Sequence, residues 1–173
     1  MVELIHGLDA ERVRANLERI RREIAEASQR APAAEGRPAT EVLAATKYVA
    51  SADLPVLARA GVILVGENRA QDLQEKVAAH GELFTWDYIG ALQSRRVRMI
   101  VPHVRLIHSV ASDSALRELA RHSELARPGL RILVEVNVAG EAGKAGVAPA
   151  ELDGFIARSP VCLLYTSPSP RDS

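Results

Sequence analysis

The chain has a single cysteine in 173 residues, Cys162, which excludes an intrachain disulfide and any metal site built from several thiolates. It also lacks net charge. Its 22 basic side chains balance 22 acidic ones, so no overall field draws nucleic acid or an anionic membrane. A local patch would have to do so, and the basic cluster Arg95, Arg96 and Arg98 is too short; it reads most simply as a solvated helix face. No apolar run reaches the ~20 residues of a membrane span. The N-terminus, MVELIHGLDAER, lacks the charged and apolar regions of a signal peptide. The expectation is a cytoplasmic protein without nucleic-acid or membrane partners. A GxGxxG fingerprint and a P-loop are also missing, which argues against a nucleotide-binding doubly wound sheet.

What is present is an ordinary globular balance, 47% hydrophobic and 25% charged. The length suits one sizeable domain but falls short of the roughly 250 residues of a complete eight-stranded α/β barrel. From about Asp9 to Gln29, Val13, Leu17, Ile20 and Ile24 recur at helical spacing, with Asp9 as N-cap. The Pro- and Gly-rich stretch Ala31 to Thr40 reads as a loop. Five strands with intervening helices follow: Val42–Thr46, Val62–Val65, Thr85–Ile89, Val104–Ile107 and Ile132–Val136. Ser51 and Ser112 are expected to cap helices, Gly61 and Gly81 to close them, and Pro149 to open the last one.

Strands alternating with short helices define α/β with right-handed crossovers. Polar residues follow each strand: Lys47, then Glu67 and Asn68, then Gln93 after Gly90, then His108 and Ser109, then Asn137. In an open sheet ligands gather at a switch point, whereas in a barrel all strand ends share one mouth, which favours a TIM (β/α)8-type barrel, incomplete here, with about five βα units after an N-terminal helix.

The stretch EVLAATK ends the first strand on Lys47, and period-2 alternation puts that lysine on the same side as Ala45 and Leu43. An amine held there loses hydration, which favours the neutral, nucleophilic form able to condense with an aldehyde. The alternative is a lysine that only snorkels to solvent.

The motifs ATK with Lys47, VGEN with Glu67 and Asn68, WDYIGALQSRR, IHSV and VEVNVAGEAGKAG, in this order, resemble those of the pyridoxal phosphate homeostasis protein family. That family is similar to the N-terminal barrel of alanine racemase, and the resemblance covers about Leu17 to Ser159. It implies that Lys47 holds pyridoxal 5′-phosphate as an internal aldimine, that Asn68 lies near the ring, and that Lys144 assists cofactor exchange. It further implies a monomer that passes the cofactor to pyridoxal phosphate-dependent apoenzymes without turnover of its own. A racemase-like enzyme is the alternative, although none of Tyr48, Tyr88 and Tyr165 is obviously placed as its second base; a cofactor-free Schiff-base aldolase has only the lysine in its favour. Glu67 could pair with a basic neighbour or touch the cofactor. His108 could hydrogen-bond in the barrel mouth, and Gln93 and Ser94 are expected to cap the helix after them.

Two departures from the family pattern stand out. Asp87 replaces a usual histidine, and Arg95 and Arg96 replace a usual asparagine and lysine. After a partial barrel at residues 1–160, the tail VCLLYTSPSPRDS at 161–173 has no helical or strand period and resembles translated adapter sequence after a truncated frame. Strands six to eight, with the phosphate-binding loops after strands seven and eight, are then expected to be missing. A barrel opened in this way is expected to be poorly soluble or molten.

Overall fold

The computed structural model describes residues 4–31, 38–141 and 143–159. The tail at 161–173, with Cys162 and Tyr165, lies outside the described residues. A helix, α1 (Ala10–Arg30), opens the fold, with the Asp9 carboxylate accepting from the Arg12 amide at 2.7 Å as its N-cap. Five βα units follow: β1 (Ala44–Ala45) and α2 (Leu54–Arg59); β2 (Leu64–Glu67) and α3 (Ala70–His80); β3 (Thr85–Tyr88) and α4 (Val97–Ile100); β4 (Leu106–Val110) and α5 (Asp113–Arg121); β5 (Arg131–Val134) and α6 (Leu152–Ala157).

The strands form one parallel sheet in the order β1-β2-β3-β4-β5. Chain order and sheet order coincide, so the reversal that creates a switch point in a doubly wound sheet is absent among the described strands. The register pairs Ala45 with Gly66, Gly66 with Asp87 and Asp87 with Leu106, and in a parallel ladder partners share a face. One face therefore carries Val65, Trp86, Tyr88, Ile107 and Ile132, which are 0–3% exposed and pack with Leu54, Leu73, Ile100 and Leu116 from the helices. Phe84 meets Trp86 edge to face, with ring centroids 5.7 Å apart. The opposite, inner face carries Ala45, Gly66, Asp87 and Leu106. A side chain at Gly66 would collide with Leu43 and Ile89, so these two fill the floor of that face.

Several local expectations are corrected. β1 is only two residues long, because as an edge strand it has a ladder on one side, to β2. Ser51 makes no capping hydrogen bond and starts a 3-10 turn instead, whereas the Ser112 hydroxyl does cap α5 by accepting from the Ala115 amide at 3.2 Å. Gly61 takes the left-handed conformation of a helix stop (φ 88°), but Gly81 keeps a helical φ of −54° and leads into a 3-10 turn. His108 and Ser109 lie within β4 rather than after it, since the strand begins later and runs further than its apolar residues suggested.

Candidate functional site: the carboxyl-end rim of the sheet

Thr46 and Lys47, immediately after β1, do different things. Thr46 faces the helix layer and is fully buried; its hydroxyl donates to Glu67 Oε1 at 2.6 Å. Lys76 of α3 reaches the same point, donating to Glu67 Oε1 at 2.6 Å and to the Thr46 carbonyl at 2.8 Å. Glu67 is thus a buried structural anion paired with a lysine, the first of its two expected readings. Its second oxygen, Oε2, is buried without a hydrogen-bond partner among the described residues. No sequence pattern singled out Lys76, which reads locally as one more polar residue of an amphipathic helix.

Lys47 lies in the turn that follows β1 and is half-buried. Its Nζ makes no hydrogen bond or ion pair among the described residues; it lies 4.7 Å from the centroid of the exposed Tyr48 ring. The β1–β2 ladder ends at the Ala45–Gly66 pair, and Asn68, also half-buried, follows β2 as Lys47 follows β1. The Asn68 carbonyl is fixed by the Tyr88 hydroxyl, which donates to it at 3.1 Å. Burial pushes the Tyr88 phenol above its usual pKa, partly offset by the nearby Arg96 charge. Gly90 is required here, because any side chain would collide with the Asn68 carbonyl oxygen. Beneath the chain after Lys47, the N-terminal segment adds a parallel bridge: the Ile5 amide donates to Tyr48 O at 2.7 Å.

Asp87 does face inward, and its charge is balanced. Arg105 grips it with Nε at 3.1 Å and Nη2 at 3.0 Å and also holds Glu41 at 2.7 Å, while His108 Nε2 meets Asp87 Oδ2 at 3.1 Å. The Asp87 hydrogen bonds, with further help from Glu41, raise the Arg105 pKa despite partial burial. His108 is therefore a partner of Asp87, the hydrogen-bonding role expected of it. Gln93 and Ser94 do not cap the following turn with their side chains; Gln93 Oε1 accepts from Arg95 Nε at 3.2 Å. Lys144 sits on the exposed loop after β5, the far edge of the sheet from β1, paired with Glu141 at 2.6 Å. Lys47 and Asn68 follow the neighbouring strands β1 and β2, and no hydrogen bond or ion pair among the described residues joins Lys144 to either.

Two cavities flank this arrangement. One of about 560 Å³ lies at the amino ends of the strands beneath α1, lined by Leu17, Ile24, Val42 and Leu64 beside the Glu41–Arg105 pair, and shares no residue with the rim. The other, about 400 Å³, lies at the carboxyl ends of β2 and β3 and includes Asn68 and Tyr88. Among the described residues there is no His, Cys, Asp or Glu cluster able to hold a metal and no helix long and apolar enough to cross a membrane.

These features define a parallel α/β protein that presents an unpaired amine at the carboxyl-end rim of its sheet. Comparison with known proteins makes the relationship particular: the chain is homologous to the pyridoxal phosphate homeostasis proteins, as its motifs indicated. No family model matches it. It is 35% identical to the pyridoxal phosphate homeostasis protein of Pseudomonas aeruginosa over 76% of this chain and 55% of that one. It is 32% identical to the protein of that name from Aquifex aeolicus, over 79% and 59%. It is also similar to PipY of Synechococcus elongatus, solved without PLP (32% identity, 78% of this chain and 63% of that one, TM-score 0.62) and with PLP bound (30% identity, 80% and 63%, TM-score 0.61). The chain thus spans less than two thirds of the length of these relatives.

Proposed function

We propose that this chain binds pyridoxal 5′-phosphate through a Schiff base on Lys47 and serves to hold and deliver the cofactor inside the cell rather than to turn over a substrate. The observation that carries the reading is the Lys47 amine itself: half-buried at the carboxyl end of β1 and free of hydrogen bonds and ion pairs among the described residues. A lysine kept for structure would be expected to be paired, as Lys76 is. The group fits this rim, because an unpaired amine is the donor that an aldehyde requires. The bound cofactor would supply a reactive aldehyde, kept in check by condensation with the amine and loss of water.

The chain's own residues would then divide the work. Lys47 forms the reversible bond. Asn68, its carbonyl held by Tyr88 and by the close approach of Gly90, flanks the ring. Lys144, on an exposed loop, attracts the anionic cofactor during exchange when Glu141 releases it. The unreversed strand order supports reading residues 1–160 as the first part of a barrel of the alanine racemase N-terminal type, working as a cytoplasmic monomer whose recipients are pyridoxal phosphate-dependent apoenzymes. No described residue favours the racemase alternative: Tyr48 is exposed and Tyr88 is committed to Asn68.

Absorbance tests this. Adding pyridoxal 5′-phosphate should produce a Schiff-base band that Lys47→Ala abolishes, with no racemisation of alanine or serine. A band that survives Lys47→Ala would overturn the assignment, and measurable racemisation would transfer it to the enzyme reading.

A further inference from the structure

Arg95 and Arg96 do not form one solvated stripe with Arg98. The turn after β3 brings them to the 400 Å³ cavity at the carboxyl ends of β2 and β3, where Arg69 joins them from the loop after β2, while Arg98 is not among the lining residues. No carboxylate lines this cavity, and none of the three guanidiniums makes an ion pair among the described residues. Five arginines elsewhere, Arg14, Arg19, Arg105, Arg121 and Arg158, each meet an Asp or Glu. Three uncompensated positive charges facing one concave space repel one another, and an anion between them would relieve that repulsion.

The remaining donors suit the same occupant. The first turn of α3, with Ala70 and Gln71 in the cavity wall, has no side-chain cap, so its amides are available where the helix dipole favours negative charge. Arg95 and Arg96 are tethered only by neutral groups: Gln93 Oε1 at 3.2 Å for Arg95, and Met99 Sδ at 3.5 Å for Arg96. Swapping the Gln71 amide brings its oxygen within 2.8 Å of Arg96 as well. Planar guanidinium forks and helix amides recognise tetrahedral oxyanions through paired hydrogen bonds.

We propose that this cavity, which shares Asn68 and Tyr88 with the proposed cofactor site, binds a phosphate monoester or inorganic phosphate dianion, held by Arg69, Arg95 and Arg96 with the first-turn amides of α3. The proposal stands on the cavity and its charges and does not depend on the cofactor reading.

Titration of the whole chain with inorganic phosphate, followed by calorimetry and repeated with a sugar phosphate, tests it. Saturable binding is expected. Arg96→Gln and the pair Arg69→Gln with Arg95→Gln should each weaken it tenfold or more, whereas Arg98→Gln should change it less than twofold. Circular dichroism of each variant checks that the fold persists, and Arg96→Lys, which keeps the charge, should recover part of the affinity. Tighter binding of the sugar phosphate would identify an esterified ligand, and equal binding would identify the free ion. Either outcome supports the site. Non-saturable binding, equal loss on Arg98→Gln, or binding only of an acidic peptide would overturn it.

Discussion

Consecutive residues at the strand tips, Thr46 with Lys47 and Glu67 with Asn68, belong to two regions with opposite character. On the helix side, Thr46, Glu67 and Lys76 form a closed, dry cluster in which one carboxylate oxygen receives both a hydroxyl and an ammonium. In the turn that follows, Lys47 is half-buried and left without a polar partner among the described residues. The alternation of a strand lets one residue lock the backbone while its neighbour stays available for chemistry. The lesson is that the buried ion pair is the support and the exposed-side lysine the tool, although both are lysines a few ångströms of chain from the same strand ends.

Three substitutions would break or sharpen that contrast. The largest effect should come from Lys76→Met, which leaves the Glu67 carboxylate buried and unpaired; about 3–5 kcal/mol of stability should be lost, read by denaturant unfolding. The double variant Lys76→Met with Glu67→Gln should recover much of that loss, and failure to do so would show that the cluster is not an ion-pair support. Next, Gly90→Ala forces a methyl group into the Asn68 carbonyl and should cost about 1–3 kcal/mol, with the Tyr88 fluorescence or near-ultraviolet dichroism changing as its hydrogen bond is displaced. The smallest effect on stability belongs to Lys47→Ala, within about 0.5 kcal/mol, because no polar contact is lost. A large destabilisation by that variant would place Lys47 among the structural residues and erase the contrast.

Much of this contrast was legible in the residues. Alternation through EVLAATK put Lys47 with Ala45 and Leu43 on one face; the ladder carries that face as far as the Ala45–Gly66 pair, and Lys47 stands in the turn beyond it. The order of elements was also legible, because apolar runs separated by helix stops such as Gly61 mark βα units wherever they are packed. What was hidden was whatever two distant segments make together. Lys76 joins Glu67 across nine positions and Thr46 across thirty, and nothing in the α3 pattern distinguishes a lysine that turns inward from one that stays in water. Arg69 lies in a different loop from Arg95 and Arg96, so the cluster in sequence seemed to be Arg95, Arg96 and Arg98, a grouping that the fold replaces. Strand limits shifted for a related reason: β4 extends through His108 and Ser109 because Ser109 donates to the Gly90 carbonyl and His108 to Asp87, polar contacts that an apolar-run criterion does not see.

The bridge from Ile5 gives the region an unforeseen lever. By donating to Tyr48 O and accepting from the Ala50 amide at 3.4 Å, Ile5 staples the loop that leaves the reactive lysine. An affinity tag or fusion partner that tugs on this N-terminal segment would be felt one peptide unit from the amine, so placement of the tag is itself a variable in any measurement of aldehyde capture.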